Sequence, residues 1–122
     1  MERAAAFQRV NANADAIQDF STAIALAPLY SNVRPYLLAS RGLLELQAGD
    51  VSKAAVDCTA ARPLRDNYYN SMLLCGRVKL AQLEFAGAIA DLEAAIKILP
   101  SYQGQVTPWL EKARAGLKDK GG

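Results

Sequence analysis

A spacing of 34 residues dominates this sequence. Gly42 recurs as Gly76, Val51 as Phe85, Ala54 as Ala88, Asp57 as Asp91 and Ala61 as Ala95. So many coincidences at one offset define an internal repeat, and a repeat is a unit that cannot bury its apolar face without a neighbour. A third copy lies upstream, where Ala16, Asp19, Phe20 and Ala23 align with Ala54, Asp57, Cys58 and Ala61 at an offset of 38. Its four extra residues fall between Pro28 and Pro35, in the loop LYSNVR or as an added turn of the following helix. In the stretch RGLLELQAGDVSKAAVDC, apolar residues recur at helical spacing on both sides of a Gly-Asp break. Gly42 sits inside the first of these patterns, where glycine costs about 1 kcal/mol relative to alanine. Gly42 and Gly76 therefore need a packing role, namely close approach of a neighbouring helix, with Ala54, Ala61, Ala88 and Ala95 facing them.

Helices are expected at about 1–11, 14–27, 33–48, 51–62, 67–82, 85–98 and 107–119. The breaks fall at Asn11 to Asn13, Pro28 to Asn32, Gly49-Asp50, Pro63 to Asp66, Leu83-Glu84 and Pro100 to Thr107. Pro63 should end its helix near Arg62, because proline removes a donor and clashes with the preceding turn. Thr107 can cap the last helix with Pro108 in its first position. That helix, PWLEKARAGLKDK, carries Trp109, Leu110, Ala113 and Leu117 on one side and charges on the other. Such a half-polar helix suits the end of a repeat array. Its LKDKGG ending reads as a helix stopped by glycine, and the absence of strand alternation argues against a diglycine-tailed modifier.

A 34-residue period resembles the tetratricopeptide repeat when it has a small residue inside the first helix, alanine opening the second, a bulky residue four later and proline near the end. ADAIQDFSTAIALAP, SKAAVDCTAARPL and AGAIADLEAAIKILP stand where that family has its second helix, with Pro28 and Pro100 at its terminal proline. The middle repeat departs by placing Pro63 earlier. The resemblance implies an all-α fold in one domain, an α-solenoid of three antiparallel helix pairs plus a capping helix. The repeats span about 1–30, 35–68 and 69–102, and counting back places the start of the first repeat a few residues before Met1.

Composition restricts the chemistry. With 122 residues and 52% apolar content the chain is one ordinary domain with enough material for a core. Fourteen basic and twelve acidic residues give +2 with no run of either sign, which excludes the electrostatic footprint of a nucleic-acid binder. There is no histidine, so histidine triads and histidine metal sites are excluded. No phosphate-binding glycine loop occurs, and neither an enzymatic activity nor a cofactor or metal is expected. No apolar stretch is long enough to span a bilayer, and MERAAAFQRV lacks a signal-peptide apolar block, so no membrane insertion and a cytoplasmic location are expected. Cys58 and Cys75 lie in apolar helical patterns and are expected as buried free thiols. Asp19, Asp57 and Asp91 recur with the repeat and read as structural. Arg3 precedes Asp19, and Arg41 precedes Asp57, by the same 16 residues, so each pair should bridge two helices, whereas Cys75 leaves Asp91 without that arginine.

The resemblance further implies a concave surface of stacked first helices that binds peptides. On the second repeat Tyr36, Ala39, Ser40, Leu43, Leu46 and Gln47 share one helical face. Asn70, Leu73, Leu74, Arg77, Leu80 and Ala81 repeat it, and Glu2, Ala5, Gln8 and Arg9 match in the first repeat. The groove is leucine-rich with a few polar groups, and the competing view has the capping helix or another chain segment covering these leucines. The expected function is an adaptor that binds a partly apolar protein segment, peptide or helix, in this groove. One alternative is a co-chaperone of altered specificity, favoured by SRG at Ser40 to Gly42 and DC at Asp57-Cys58. Against it, the family's carboxylate clamp would fall at Met1, Ala5, Ser40, Asn70 and Leu74, none of which supplies the required group. The other alternative is a self-assembly or intramolecular scaffold module, whose groove receives a second copy or an adjoining region.

Overall fold

A computed structural model of the chain describes residues 2–28, 31–65 and 68–121; of residues 2–11 and 121 only the backbone is considered. It is all-α. Among the described residues the α-helices are α1 (Glu2–Leu26), α2 (Val33–Gln47), α3 (Val51–Ala61), α4 (Tyr69–Ala81), α5 (Phe85–Ile98) and α6 (Gln103–Gly121). Short 3₁₀ turns at Arg62–Leu64 and Pro100–Tyr102 link α3 towards α4 and α5 to α6. Each helix packs on the next, and in addition α2 packs on α4 and α4 on α6, so these three form a continuous inner layer.

The repeat is visible in the backbone as well as in the side chains. In the α2–α3 turn, Gly49 has φ +87° and the Asp50 N–H donates to Glu45 O. Thirty-four residues later Leu83 has φ 64° and the Glu84 N–H donates to Lys79 O, both at 2.8 Å. Both turns close the preceding helix with the left-handed residue that a C-terminal cap requires. Asp50 then caps α3 by accepting from the Lys53 N–H at 3.1 Å. Arg34 closes α1 from a distance, donating to Ile24 O and Ala27 O.

The small residues are needed at the crossings. A Cβ built on Gly42 would lie 2.5 Å from Leu74 Cδ2 and 3.2 Å from Asp57 Cβ, and one on Gly76 would lie 2.8 Å from Leu92 Cγ and 3.3 Å from Asp91 Cβ. The residues facing the glycines are thus a leucine and the repeated aspartate. Ala54, Ala61, Ala88 and Ala95 are wholly buried but are not the nearest neighbours. Gly116 makes a third such contact, under the Phe85 ring.

Three expectations are corrected. The expected helices 1–11 and 14–27 are one helix, α1, without a break at Asn11 to Asn13. Asparagine only lowers helix propensity, and no glycine or proline interrupts the stretch. The last helix begins at Gln103, so Pro108 lies inside it, and Thr107 donates to Gln103 O at 2.7 Å instead of capping. Cys58 and Cys75 are not free thiols but a disulfide joining α3 to α4, with Cα atoms 5.3 Å apart. Sequence spacing could not place them on facing helices. By contrast α3 ends at Ala61, just before Pro63, as expected.

Two tests follow from this packing. Gly76→Leu should cost at least about 1–3 kcal/mol by overpacking against Leu92, and an unchanged melting temperature would remove that account of the glycine. Reducing the bridge, which spans 17 residues of sequence, should cost about 3 kcal/mol from restored chain entropy, read as a lower denaturant midpoint with dithiothreitol.

Candidate functional site

The inner layer carries two clefts that meet at Arg77. The smaller, of about 360 Å³, is bounded by Phe20, Ser40, Leu43, Gln47, Leu73 and Arg77. The larger, of about 630 Å³, runs between the C-terminal ends of α2 and α4 and the face of α6, with Leu46, Arg77, Leu80, Leu83, Phe85 and Trp109 among its walls. That size is in the range of ligand pockets.

The expected groove residues divide into three sets. Ser40, Leu43, Leu46, Gln47, Arg77 and Leu80 come together around the clefts. Tyr36 is exposed at the start of α2, its ring edge-on to Phe20 at 6.4 Å, and Asn70 donates to the Tyr68 hydroxyl at 3.0 Å, so both are peripheral. Ala39, Leu73 and Leu74 are corrections, being buried. Ala39 packs with Ala54, Leu74 and Val78, and Leu74 fills the space left by Gly42. Leu73 reaches the edge of the smaller cleft but belongs to a core with Tyr69, Val106 and Leu110, where α6 covers it. The helical spacing marks a face but not its cover. Glu2, Ala5, Gln8 and Arg9 fall among the residues whose side chains are not described, as does Arg3, so the Arg3–Asp19 pair lies outside the described contacts.

Phe85, Leu83, Trp109 and Lys112 were missed as cleft residues. The signal was the apolar side of the last helix, assigned wholly to capping when it also walls a cavity. Arg77 is held there by Trp109, its guanidinium carbon 4.4 Å from the centre of the indole ring. Among the described residues it has no carboxylate within ion-pair distance. Burial pushes its pKa below the ordinary arginine value.

Two of the repeated aspartates, Asp57 and Asp91, are held in ion pairs. Arg41 grips both oxygens of Asp57 at 2.9 and 2.6 Å and donates to Ser21 Oγ, as the 16-residue spacing implies. Asp91 lacks that arginine yet is doubly paired, with Arg62 from the preceding 3₁₀ turn at 3.0 and 2.9 Å and with Lys79 at 2.9 Å. The arginine absent at Cys75 is thus replaced by Lys79 and by a cation from the neighbouring repeat. Beneath Arg41 lies Glu45, also missed although four residues on, with Nε 3.3 Å from its Oε1. Glu45 is 3% exposed, and among the described residues its Oε2 has no hydrogen-bond partner. Burial first, and the neighbouring Asp57 second, raise its pKa to about 8 against the partial opposition of Arg41. Among the described residues no cluster of carboxylates and cysteines has the arrangement of a metal site.

Comparison with protein-family models, with curated proteins and with solved structures gives no match.

Glu45 provides a pH test of this geometry. Its carboxyl keeps a proton more tightly folded than unfolded, so its contribution to stability is full below the unfolded value and falls as pH rises towards 8. The melting temperature of the wild type relative to Glu45→Gln should decline from about pH 5 to about pH 8 and then level off. A difference independent of pH would mean that Glu45 is ionised throughout.

Proposed function

We propose that this chain is a non-enzymatic interaction module of the tetratricopeptide-repeat type, binding a partly apolar peptide or helix along the inner layer. The observation that carries this reading is the pair of leucine-walled clefts meeting at Arg77, on the layer formed by α2, α4 and α6. Half-exposed apolar walls of this kind, with one positioned polar group, suit a partner more than solvent. Among the described residues no catalytic constellation accompanies them, and Glu45, the carboxyl whose pKa is raised, lies in a separate small recess with its arginine.

The co-chaperone alternative is weakened by geometry. Of the family's clamp positions, Leu74 is buried in the core and the Asn70 amide is taken by Tyr68. An anionic tail would find no paired cations there. Self-assembly is the reading to separate by experiment, since a second copy could fill the same clefts. Among the described residues no helix is long and apolar enough to cross a membrane. The disulfide weighs against the cytoplasm expected from the sequence, because cytosolic thiol pools keep such pairs reduced, and it fits an oxidising compartment better.

Leu80→Glu and Leu83→Glu place a charge in the larger cleft, where Leu83 is 63% exposed and Leu80 half-buried. Leu83→Glu should change stability within about ±0.5 kcal/mol. Both should abolish capture of the partner that the wild type draws from a cell extract, whereas Val56→Glu, on an exposed part of α3 outside the two clefts, should not. Equal capture by all four proteins would mean that the partner uses another face.

A further inference from the structure

The charge at the junction of the clefts points to the kind of segment they take. Arg41 and Arg62 each hold a buried aspartate, while Arg34 closes α1 through its carbonyls. Arg77 differs from these. It is half-buried, lines both clefts, and among the described residues its only specific partner is the Trp109 ring. The ring attracts the cation but accepts none of its N–H bonds in the way a carboxylate does. Lys112 adds a second positive charge to the larger cleft and Asp119 a negative one, leaving that cleft positive overall.

We propose that Arg77 recognises an acidic side chain set between apolar ones: an Asp or Glu whose neighbours on each side fill the two clefts. This deepens the groove reading above and rests on it. The anion follows from charge complementarity, because a half-buried guanidinium that has no carboxylate within ion-pair distance among the described residues gains a two-pronged hydrogen bond from a carboxylate and loses little hydration in making it. Its source follows from position. A cleft lies on either side of Arg77, so the bound chain continues in both directions, and a terminal carboxylate would leave one cleft empty. The apolar neighbours follow from the walls, which are Leu43 and Phe20 on one side and Leu46, Leu80 and Phe85 on the other. Burial lowers the arginine's pKa, because partial loss of water disfavours the charged form.

The test uses acetylated and amidated peptides Leu-Phe-X-Leu-Phe, with X as Asp, Glu, Asn or Lys. Trp109, the chain's one tryptophan, lines the cleft and reports binding by fluorescence. Asp and Glu peptides should bind about tenfold or more tighter than the Asn peptide, with Lys weakest, and the preference should shrink as salt is added. Arg77→Gln keeps a stem over the indole and should hold its melting temperature while bringing the Asp to Asn ratio near one; Arg77→Lys should retain part of the preference. Equal affinity of the Asp and Asn peptides for the wild type would overturn the role of Arg77 and leave the groove reading standing. An Asp preference that survives in Arg77→Gln would place the anion elsewhere and also overturn it. Failure of all four peptides to bind, together with unimpaired capture by Leu80→Glu, would remove both readings. Concentration-dependent dimers in sedimentation that Arg77→Gln dissolves would make the occupant a second copy, against the proposal.

Discussion

The close approach of a glycine in one helix to an aspartate in the next is the contact on which the packing depends. A Cβ added at Gly42 would meet that of Asp57, and one at Gly76 that of Asp91, at nearly the same distance in both repeats. Without a side chain at the glycine the second helix settles close enough to bury the aspartate almost completely. A buried carboxylate without partners is strongly unfavourable, so each must be held by cations. The glycine and the ion pair are therefore one device: the first creates the burial and the second makes it tolerable.

The two repeats meet that requirement differently, and the difference ties them together. In the second, Arg41 reaches Asp57 within the repeat. In the third, the equivalent position is Cys75, which is bonded to Cys58 of the preceding helix, and Asp91 is held by Lys79 of its own repeat together with Arg62 of the same preceding segment. Replacing one internal arginine by cysteine has thus moved two bonds across the junction between α3 and α4. Since α4 carries Arg77 and Leu80, the junction also sets where the cleft residues stand relative to α2.

Glu45 shows how crowded such a device can become. A single guanidinium faces two buried carboxyl groups, and burial together with the neighbouring Asp57 raises the pKa of Glu45 to about 8. On the other side of the layer, α6 does two jobs with one apolar side. Val106, Leu110 and Ala113 are buried in the end of the core, while Trp109 turns towards Arg77 and walls the larger cleft. A helix that closes the array thereby also shapes the larger cleft.

Sequence alone determined what local chemistry controls: the repeat, the glycines at the crossings, the turns at Gly49 and Leu83, the stop at Pro63 and the pairing of Arg41 with Asp57. These depend on short spacings whose geometry a helix dictates. Tertiary structure decided whatever depends on the neighbour. Helical period puts Ala39, Leu43, Leu73 and Leu74 on one side, yet cannot say that Gly42 receives Leu74, that α6 covers Leu73, or that Leu43 alone of these stays half-open. It could not bring Cys58 to Cys75 or Arg62 to Asp91, because both contacts cross between repeats whose relative placement is set by packing. The unbroken α1 belongs with these, since asparagine weakens a helix only slightly and the surrounding fold decides whether it continues.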